Sequence, residues 1–231
     1  MYKKEEDLRK FLYSKGISSN LFYDYENKAF KNSYIEPTVI EERNVSSMVS
    51  LSVYSRLMMD RILFLGTEIN EDVANIFSAQ LLWLEQQSDK DITIHIASPG
   101  GSIYSGYQIL DTMQFIKPEI STVCMGMVAS MASVIASSGT KGKRFILPHS
   151  RFLVHQPLGG AKGQCSDIQI EAKEIQILKE ELQHILADNS GQDYETIEKM
   201  CDRDTILTAQ EAVRYGFVDS IVLNKKNIIL P

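Results

Sequence analysis

The chain has 231 residues, 44% of them hydrophobic and 23% charged, which suits one globular domain, or one domain with an extension, able to bury a core without disulfides or metal. Its formal net charge of −6 argues against a nucleic-acid binder, which needs a basic surface to neutralise phosphates. Cys124, Cys165 and Cys201 are odd in number and lack metal-ligand spacing, so they read as reduced thiols of a cytoplasmic protein, with no metal expected.

The start, MYKKEEDLRK, carries charges of both signs and leads into no long apolar run, so it does not read as a signal peptide. Residues 1–34 are rich in Lys, Glu, Asn and Tyr and read as an extension or processed leader. From Ile35 the chain is regularly patterned. Arg61 to Leu65 is a buried strand closed by Gly66. Asn70 caps a helix whose apolar positions are Val73, Ile76, Phe77, Leu81 and Leu84. Asp91 to Ser98 alternates and is β-branched, hence a strand, and Pro99-Gly100-Gly101 breaks it. Ser102 opens a helix through Ile116 that stops before Pro118. Ser121 to Met125 is a strand ended by Gly126, and the small residues from Val128 to Ser138 predict a tightly packed helix. The longest weakly polar stretch, Val123 to Ala136, is interrupted by Ser130 and Ser133 and is too short for a span of about 20 apolar residues. No membrane segment is expected.

Phe145 to Leu147 and Phe152 to Val154 are two further short strands. A long helix follows, with Ser166 and Gln169 as a capping box, a stripe of Ile168, Ala172, Ile175, Leu178, Leu182 and Ile185, and a stop at Gly191. Ile170 and Ile177 fall off that stripe, the pattern of a helix that also packs on a partner chain. Thr208 and Glu211 form a second capping box, for a helix ending at Tyr215-Gly216, and Val218 to Leu223 is a last strand. Strands alternating with helices imply an α/β fold with right-handed crossovers.

Four places hold candidate chemistry, each with a plainer explanation. Two glycines in Ser98-Pro99-Gly100-Gly101-Ser102 leave backbone N–H groups able to bind an anion, although ordinary strand-to-helix turns look the same. Ser130 stands near a helix start after a strand, where N–H groups converge, yet serine among small residues is usually packing. His155 ends a strand beside a glycine-containing loop, Gln156 to Gly160. His95, His149 and His184 all have easy structural roles. Asp202-Arg203-Asp204 reads equally as a solvated charge cluster.

Taken together and in order, SPGGS, MGMVASMAS, LVHQPLGG and DRDTILTAQEAVRYGFVD resemble the proteolytic subunits of the Clp protease, and so do YSRLMMDRILFLG, DTMQFIKP and GTKGKRFILPHSR. The resemblance runs from about Ile35 to Leu223. It implies a peptidase domain over 35–231, of a fold shared with crotonases, built from repeated β-β-α units with a protruding handle helix near 160–190. It implies Ser130 as nucleophile, His155 as base and Asp204 as its orienting carboxylate, with the N–H groups of Gly101 and Met131 as oxyanion hole. Gly101, Ser102, Ile103, Leu158, Gly159 and Gly160 would pair with an extended substrate. Two stacked heptameric rings would enclose the site, with Asp202 and Arg203 in contact with the opposite ring. An ATP-driven Clp unfoldase would feed the chamber. The chain has no G-x-x-x-x-G-K-[ST] loop, so no cofactor is expected and ATP use belongs to that partner.

The sequence departs from the family in places. Met127-Val128-Ala129 precedes the serine where the family often has Gln-Ala-Ala, and Ala97 replaces the usual Asn before SPGG. The unfoldase-docking positions, often aromatic, are here Thr93 and His95, while Phe145 and Val222 keep that pocket partly apolar. Three alternatives stand beside a peptidase: a non-catalytic ring subunit, a Ser-Lys relative, and a crotonase-type acyl-CoA enzyme. The last would not need Ser130, His155 and Asp204 together.

Overall fold

A computed structural model describes residues 38–44 and 47–224. The expected leader, 1–34, lies outside these residues, as does the start of patterning at Ile35. Two compact units divide between Arg56 and Leu57. The first contains an antiparallel hairpin, β1 (Thr38–Asn44) and β2 (Ser47–Ser52), with a bulge between Glu42 and Asn44. Helix α1 (Val53–Met59) follows, its start held by the Ser55 N–H donating to Ser52 Oγ at 3.0 Å.

The second unit is the α/β body. Its main sheet is wholly parallel, in the order β10-β7-β5-β4-β3: β3 (Ile62–Leu65), β4 (Ile92–Ile96), β5 (Ile120–Cys124), β7 (Arg144–Ile146) and β10 (Ser220–Ile221). In β4 the period of two sends Ile92, Ile94 and Ile96 into the core and Thr93 and His95 to the other face. β5 is buried throughout, and its polar side chains are satisfied: Thr122 Oγ1 donates to the Ala136 carbonyl and Ser121 Oγ to that of Lys143.

Helix α2 (Glu71–Gln87) joins β3 to β4. Asn70 caps it as expected, accepting from the Val73 N–H, and Phe77, Leu81 and Leu84 are buried. Ile76 is not part of that stripe. It falls one position from Phe77, on the exposed side of the helix. Helix α3 (Ile103–Phe115) is capped by Ser102, and α2 and α3 lie against each other.

After β5 the chain does not pass straight into the expected helix from Val128. Strand β6 (Met127–Ala129) comes first, and helix α4 (Met131–Ser137) begins only after Ser130. The reason is non-local: Val128 and Ala129 pair in parallel with Phe152 and Leu153 of β8 (Arg151–Val154). A window of small residues cannot reveal that partner.

Helix α5 (Cys165–Ser190) spans about 39 Å at 1.5 Å per residue. Its cap is Gln164, which makes no side-chain hydrogen bond, so the Ser166–Gln169 box is not used; Ser166 already lies in the first turn. Gly191 ends it with φ 75, as the stop signal predicted. Only its C-terminal half packs: Leu178, Leu182, Leu186 and Ala187 are buried, whereas Ile168, Ile170 and Ile177 are exposed. Like β1, β2 and α1, helix α6 (Tyr194–Cys201) and strand β9 (Thr205–Thr208) have no counterpart in the sequence reading. Helix α7 (Ala209–Arg214) carries the predicted Thr208–Glu211 capping box. The last strand is shorter than expected, because Val218 turns into the core and Asp219 serves another purpose. Among the described residues, no helix is long and apolar enough to cross a membrane.

Asp219 pairs with Arg144, whose side chain is 4% exposed. Arg144 Nη2 and Nε donate to the two carboxylate oxygens, and the Gly142 and Arg144 amides add to Oδ2. Arg144 Nη1 reaches the Ser137 and Asn189 carbonyls, so one guanidinium joins β7 to the ends of α4 and α5. Burial alone raises the Asp219 carboxyl pKa, but the Arg144 hydrogen bonds and charge outweigh it and hold it below the ordinary value. Removing one partner of such a pair strands the other, so Asp219→Ala is expected to cost about 3 kcal/mol, read as a lower urea midpoint. A carboxyl depressed on folding contributes fully above the unfolded range, near about pH 3.9. That contribution is lost as pH falls through its lower folded value, so the gap between wild type and variant narrows in acid.

Candidate active site

A second sheet, in the order β6-β8-β9, builds the site. Its central strand, β8, pairs in parallel with β6 and antiparallel with β9. The registers are Ala129 with Leu153 and Val154 with Thr205. One step beyond, β6 delivers Ser130, β8 continues into His155, and β9 is entered from Asp204, directly opposite His155. All three residues leave the same end of one sheet. His155 Nδ1 lies 3.0 Å from Asp204 Oδ1. With the carboxylate accepting from Nδ1–H, the tautomer leaves Nε2 with its lone pair free. The imidazole is largely buried, while the Asp204 side chain is 69% exposed.

Ser130 has φ 57 and ψ −128, a backbone conformation that L-residues rarely adopt. The strain is held by its surroundings. The Ser130 N–H donates to the Leu153 carbonyl at 3.1 Å and the Ala129 N–H to that of Ser98 at 3.0 Å. The buried Ser133 hydroxyl reaches the Val128 and Leu153 carbonyls, at 3.1 and 2.6 Å, spanning β6 and β8. Gly100, with φ 90, packs on the turn: a Cβ there would stand 2.6 Å from the Ala129 oxygen and 2.7 Å from Ser130 Cβ.

The same turn collects free N–H groups. Met131 is the first residue of α4, ahead of its hydrogen-bond ladder. Gly101 bridges Ile69 in parallel: the Ile69 N–H donates to Gly100, and the Ser102 N–H donates to Ile69. That leaves the Gly101 amide on the opposite edge of the chain.

Gly101, Ile103, Ser130, Met131, His155 and Leu158 line one cavity of about 350 Å³. Among the described residues, no hydrogen bond joins the Ser130 hydroxyl to the imidazole. Ser102 does not line this cavity: its amide is taken by Ile69 and its hydroxyl caps α3. Gly159 and Gly160 are exposed beyond Leu158, and a Cβ on Gly159 would meet the Ile175 side chain. The deeper wall comes from residues that motif reading passed over: Lys179, Leu182, Gln183 and Leu186 of α5, and Cys201 of α6. Burial pushes the Cys201 thiol up to about 11, so it stays protonated and is no rival nucleophile at neutral pH. A helix facing the site from far along the chain leaves no short-range motif. Of the stripe read from the sequence, Leu178 and Leu182 are buried, and it holds Ile185 in place of the buried Leu186.

The remaining predicted residues lie elsewhere. Thr93, His95 and Val222 line a second cavity of about 350 Å³ on the far face of the main sheet, with Ile62, Val123 and Leu147. Phe145 is buried with Val222 and Val123 beneath it. Asp202 and Arg203 are exposed, 4.0 Å apart, and the Asp202 carbonyl accepts from Gln156 Nε2.

The profile of the Clp protease family matches residues 45–225. The ATP-dependent Clp protease proteolytic subunit of Porphyromonas gingivalis is 51% identical over 208 residues, covering 90% of this chain and 92% of that protein. Proteins of the same description from Bacteroides fragilis and Ligilactobacillus salivarius are 53% and 52% identical over 193 residues, each covering 83% of this chain and 93% and 98% of their own.

If the Ser130 turn depends on its supports, Ser133→Ala removes the one hydroxyl proton that the Val128 and Leu153 carbonyls share and should cost about 1–3 kcal/mol. Labelling of Ser130 by a fluorophosphonate should slow by about tenfold, because the hydroxyl loses its fixed direction. Gly100→Ala should abolish labelling, since both φ and contact distances exclude a methyl group. Mass spectrometry of labelled protein over time, beside thermal unfolding, measures both.

Proposed function

The chain belongs to the Clp protease family, and from that premise we propose that it is a serine endopeptidase that cuts unfolded polypeptides to short peptides. One observation carries this: one end of a single sheet presents Ser130, His155 and Asp204 together, with the imidazole and carboxylate 3.0 Å apart. Ser130 Oγ attacks the peptide carbonyl while His155 Nε2 takes its proton. Asp204 fixes the tautomer and stabilises the imidazolium. The Gly101 and Met131 amides stabilise the oxyanion, and His155 returns its proton to the leaving amine. Water, activated by the same imidazole, then releases the acyl group.

Substrate lies extended between Gly101–Ile103 and Leu158–Gly160. Such pairing reads backbone more than side chain and gives broad specificity. Since Ser102 is turned to Ile69, Gly101 and Ile103 are the residues left to face the substrate. The protein works with a Clp ATPase, which docks over the apolar cavity around Val222 beside Thr93, His95 and Phe145. This chain needs no cofactor of its own. Two heptameric rings stack through the exposed half of α5 and through Asp202 and Arg203, and the assembly works in the cytoplasm. The exposure of Ile168, Ile170 and Ile177 supports that packing.

Hydrolysis of a short fluorogenic peptide by the assembled protein tests the chemistry, because short peptides need no unfolding. Ser130→Ala should lower kcat by about 10⁶-fold, and His155→Ala similarly. Asp204→Asn permits the wrong tautomer and should cost about 10⁴-fold. Equal hydrolysis by wild type and Ser130→Ala would sink the reading, and so would intact rings without activity.

A further inference from the structure

Among the described residues, one buried side-chain polar atom has no hydrogen-bond partner: Nε2 of Gln183. The residue is 1% exposed, and it lines the cavity that holds Ser130. Its other amide atom is committed, since Oε1 accepts from the Tyr194 hydroxyl at 2.9 Å. With the Tyr194 hydroxyl donating, the end of the amide left over is Nε2. Two N–H donors are therefore left unused at the wall of the site. Buried donors without acceptors are rare, and one inside a binding cavity marks a place for an acceptor that arrives with the ligand.

The surroundings define that acceptor. Val134, Leu182 and Leu186 make the walls apolar. Lys179, also in the lining, is 3.6 Å from Glu198, so its charge already has a counterpart. Cys201 is a neutral thiol. A carboxylate would lose its hydration against these walls for little return, whereas an uncharged carbonyl would not.

We propose that Gln183 is a specificity-determining residue of the peptidase site: its Nε2 donates to an uncharged acceptor at the tip of an unbranched substrate side chain, of which glutamine is the natural case. This rests on the peptidase reading above and adds a preference to it. The selected side chain is the one beside the scissile carbonyl, because the cavity carries Ser130 and Gln183 together.

Two fluorogenic peptides that differ only in that residue, glutamine or its apolar counterpart norleucine, test this on the assembled full chain. The readout is the ratio of their kcat/KM values in wild type, Gln183→Leu and Gln183→Glu. Gln183→Glu keeps an acceptor for Tyr194 and exchanges the donor for a carboxylate oxygen, at the cost of a buried charge, and it serves where the leucine variant does not assemble. The glutamine-to-norleucine ratio should fall by about five- to tenfold in either variant, the size of one neutral hydrogen bond. A merely structural role would lower both values together, and an unchanged ratio would overturn the proposal while leaving the peptidase reading intact. No hydrolysis of either peptide by assembled wild type would remove both. A structure of Ser130→Ala with the glutamine peptide gives an independent answer: its side-chain carbonyl should lie within 3.2 Å or so of Nε2. A water there, with the peptide side chain turned away, would overturn the assignment.

Discussion

The register of β8 is the constraint on which the site depends. A strand paired on both edges has no freedom to slide, and here each edge sets one member of the constellation. On one side the parallel ladder ends as Ser130 begins. On the other, the antiparallel ladder makes Asp204 the next partner of His155. A slip of one residue in either pairing would turn the side chain to the opposite face and separate the groups. The hydroxyl of Ser133 reaches a carbonyl on each of β6 and β8 and so favours this alignment of the two strands. The stacking of Phe152 on Phe217, centroids 5.3 Å apart, anchors β8 to the core from below. Precision at the site is thus a product of sheet pairing, and α4 inherits its position from β6.

The parallel sheet supplies the complementary part. Its β4 leads into Pro99-Gly100-Gly101, and the bridge of Gly101 to Ile69 spends one edge of the chain on Ile69 and leaves the other over. The position agrees with the rule that ligands of parallel sheets gather beyond the carboxyl ends of the strands. Gly100 closes the gap between the two sheets. Its missing side chain is what allows the end of β4 to touch the Ser130 turn. Backbone donors and the strained serine are brought together by contact between glycine and main chain, with no long side chain to adjust.

Local signals in the sequence located most elements, because they act within a few residues: the Asn70 and Thr208 caps, the Gly191 stop, and the alternation through Ile92, Ile94 and Ile96. Two of the misreadings share one cause, a strand partner distant in the chain. Val128 and Ala129 look helical in a run of small residues and become strand because Phe152 and Leu153 lie beside them. Strand β9 went unseen since Thr205 to Thr208 is too short to show a period and exists by virtue of β8. Ser166 resembles a cap, yet the helix starts a residue earlier. At the site, the linear segments around Ser130, His155 and Asp204 were individually weak, and only their order along the chain made them specific. Gln183 was illegible for a different reason. An i, i+4 helix position beside Leu182 reads as packing, and only three-dimensional burial exposes a donor without an acceptor.

The three elements of the constellation are not equally rigid. Ser130 is fixed by main-chain bonds on two strands, and His155 continues a strand paired on both sides. Asp204 sits in the short connection between α6 and β9, with Asp202 and Arg203 exposed beside it and the Gln156 amide holding the Asp202 carbonyl. An exposed ion pair at 4.0 Å adds little order in water. The carboxylate that meets His155 Nδ1 therefore depends on the segment with the fewest constraints of its own. A surface that covers Asp202 and Arg203 would add those constraints and sharpen the aim of His155, while loss of that surface would leave Ser130 in place beside a less directed imidazole. Asp204 faces His155 while Asp202 and Arg203 face outward, so the order of the outer segment and the direction of the imidazole are joined by geometry.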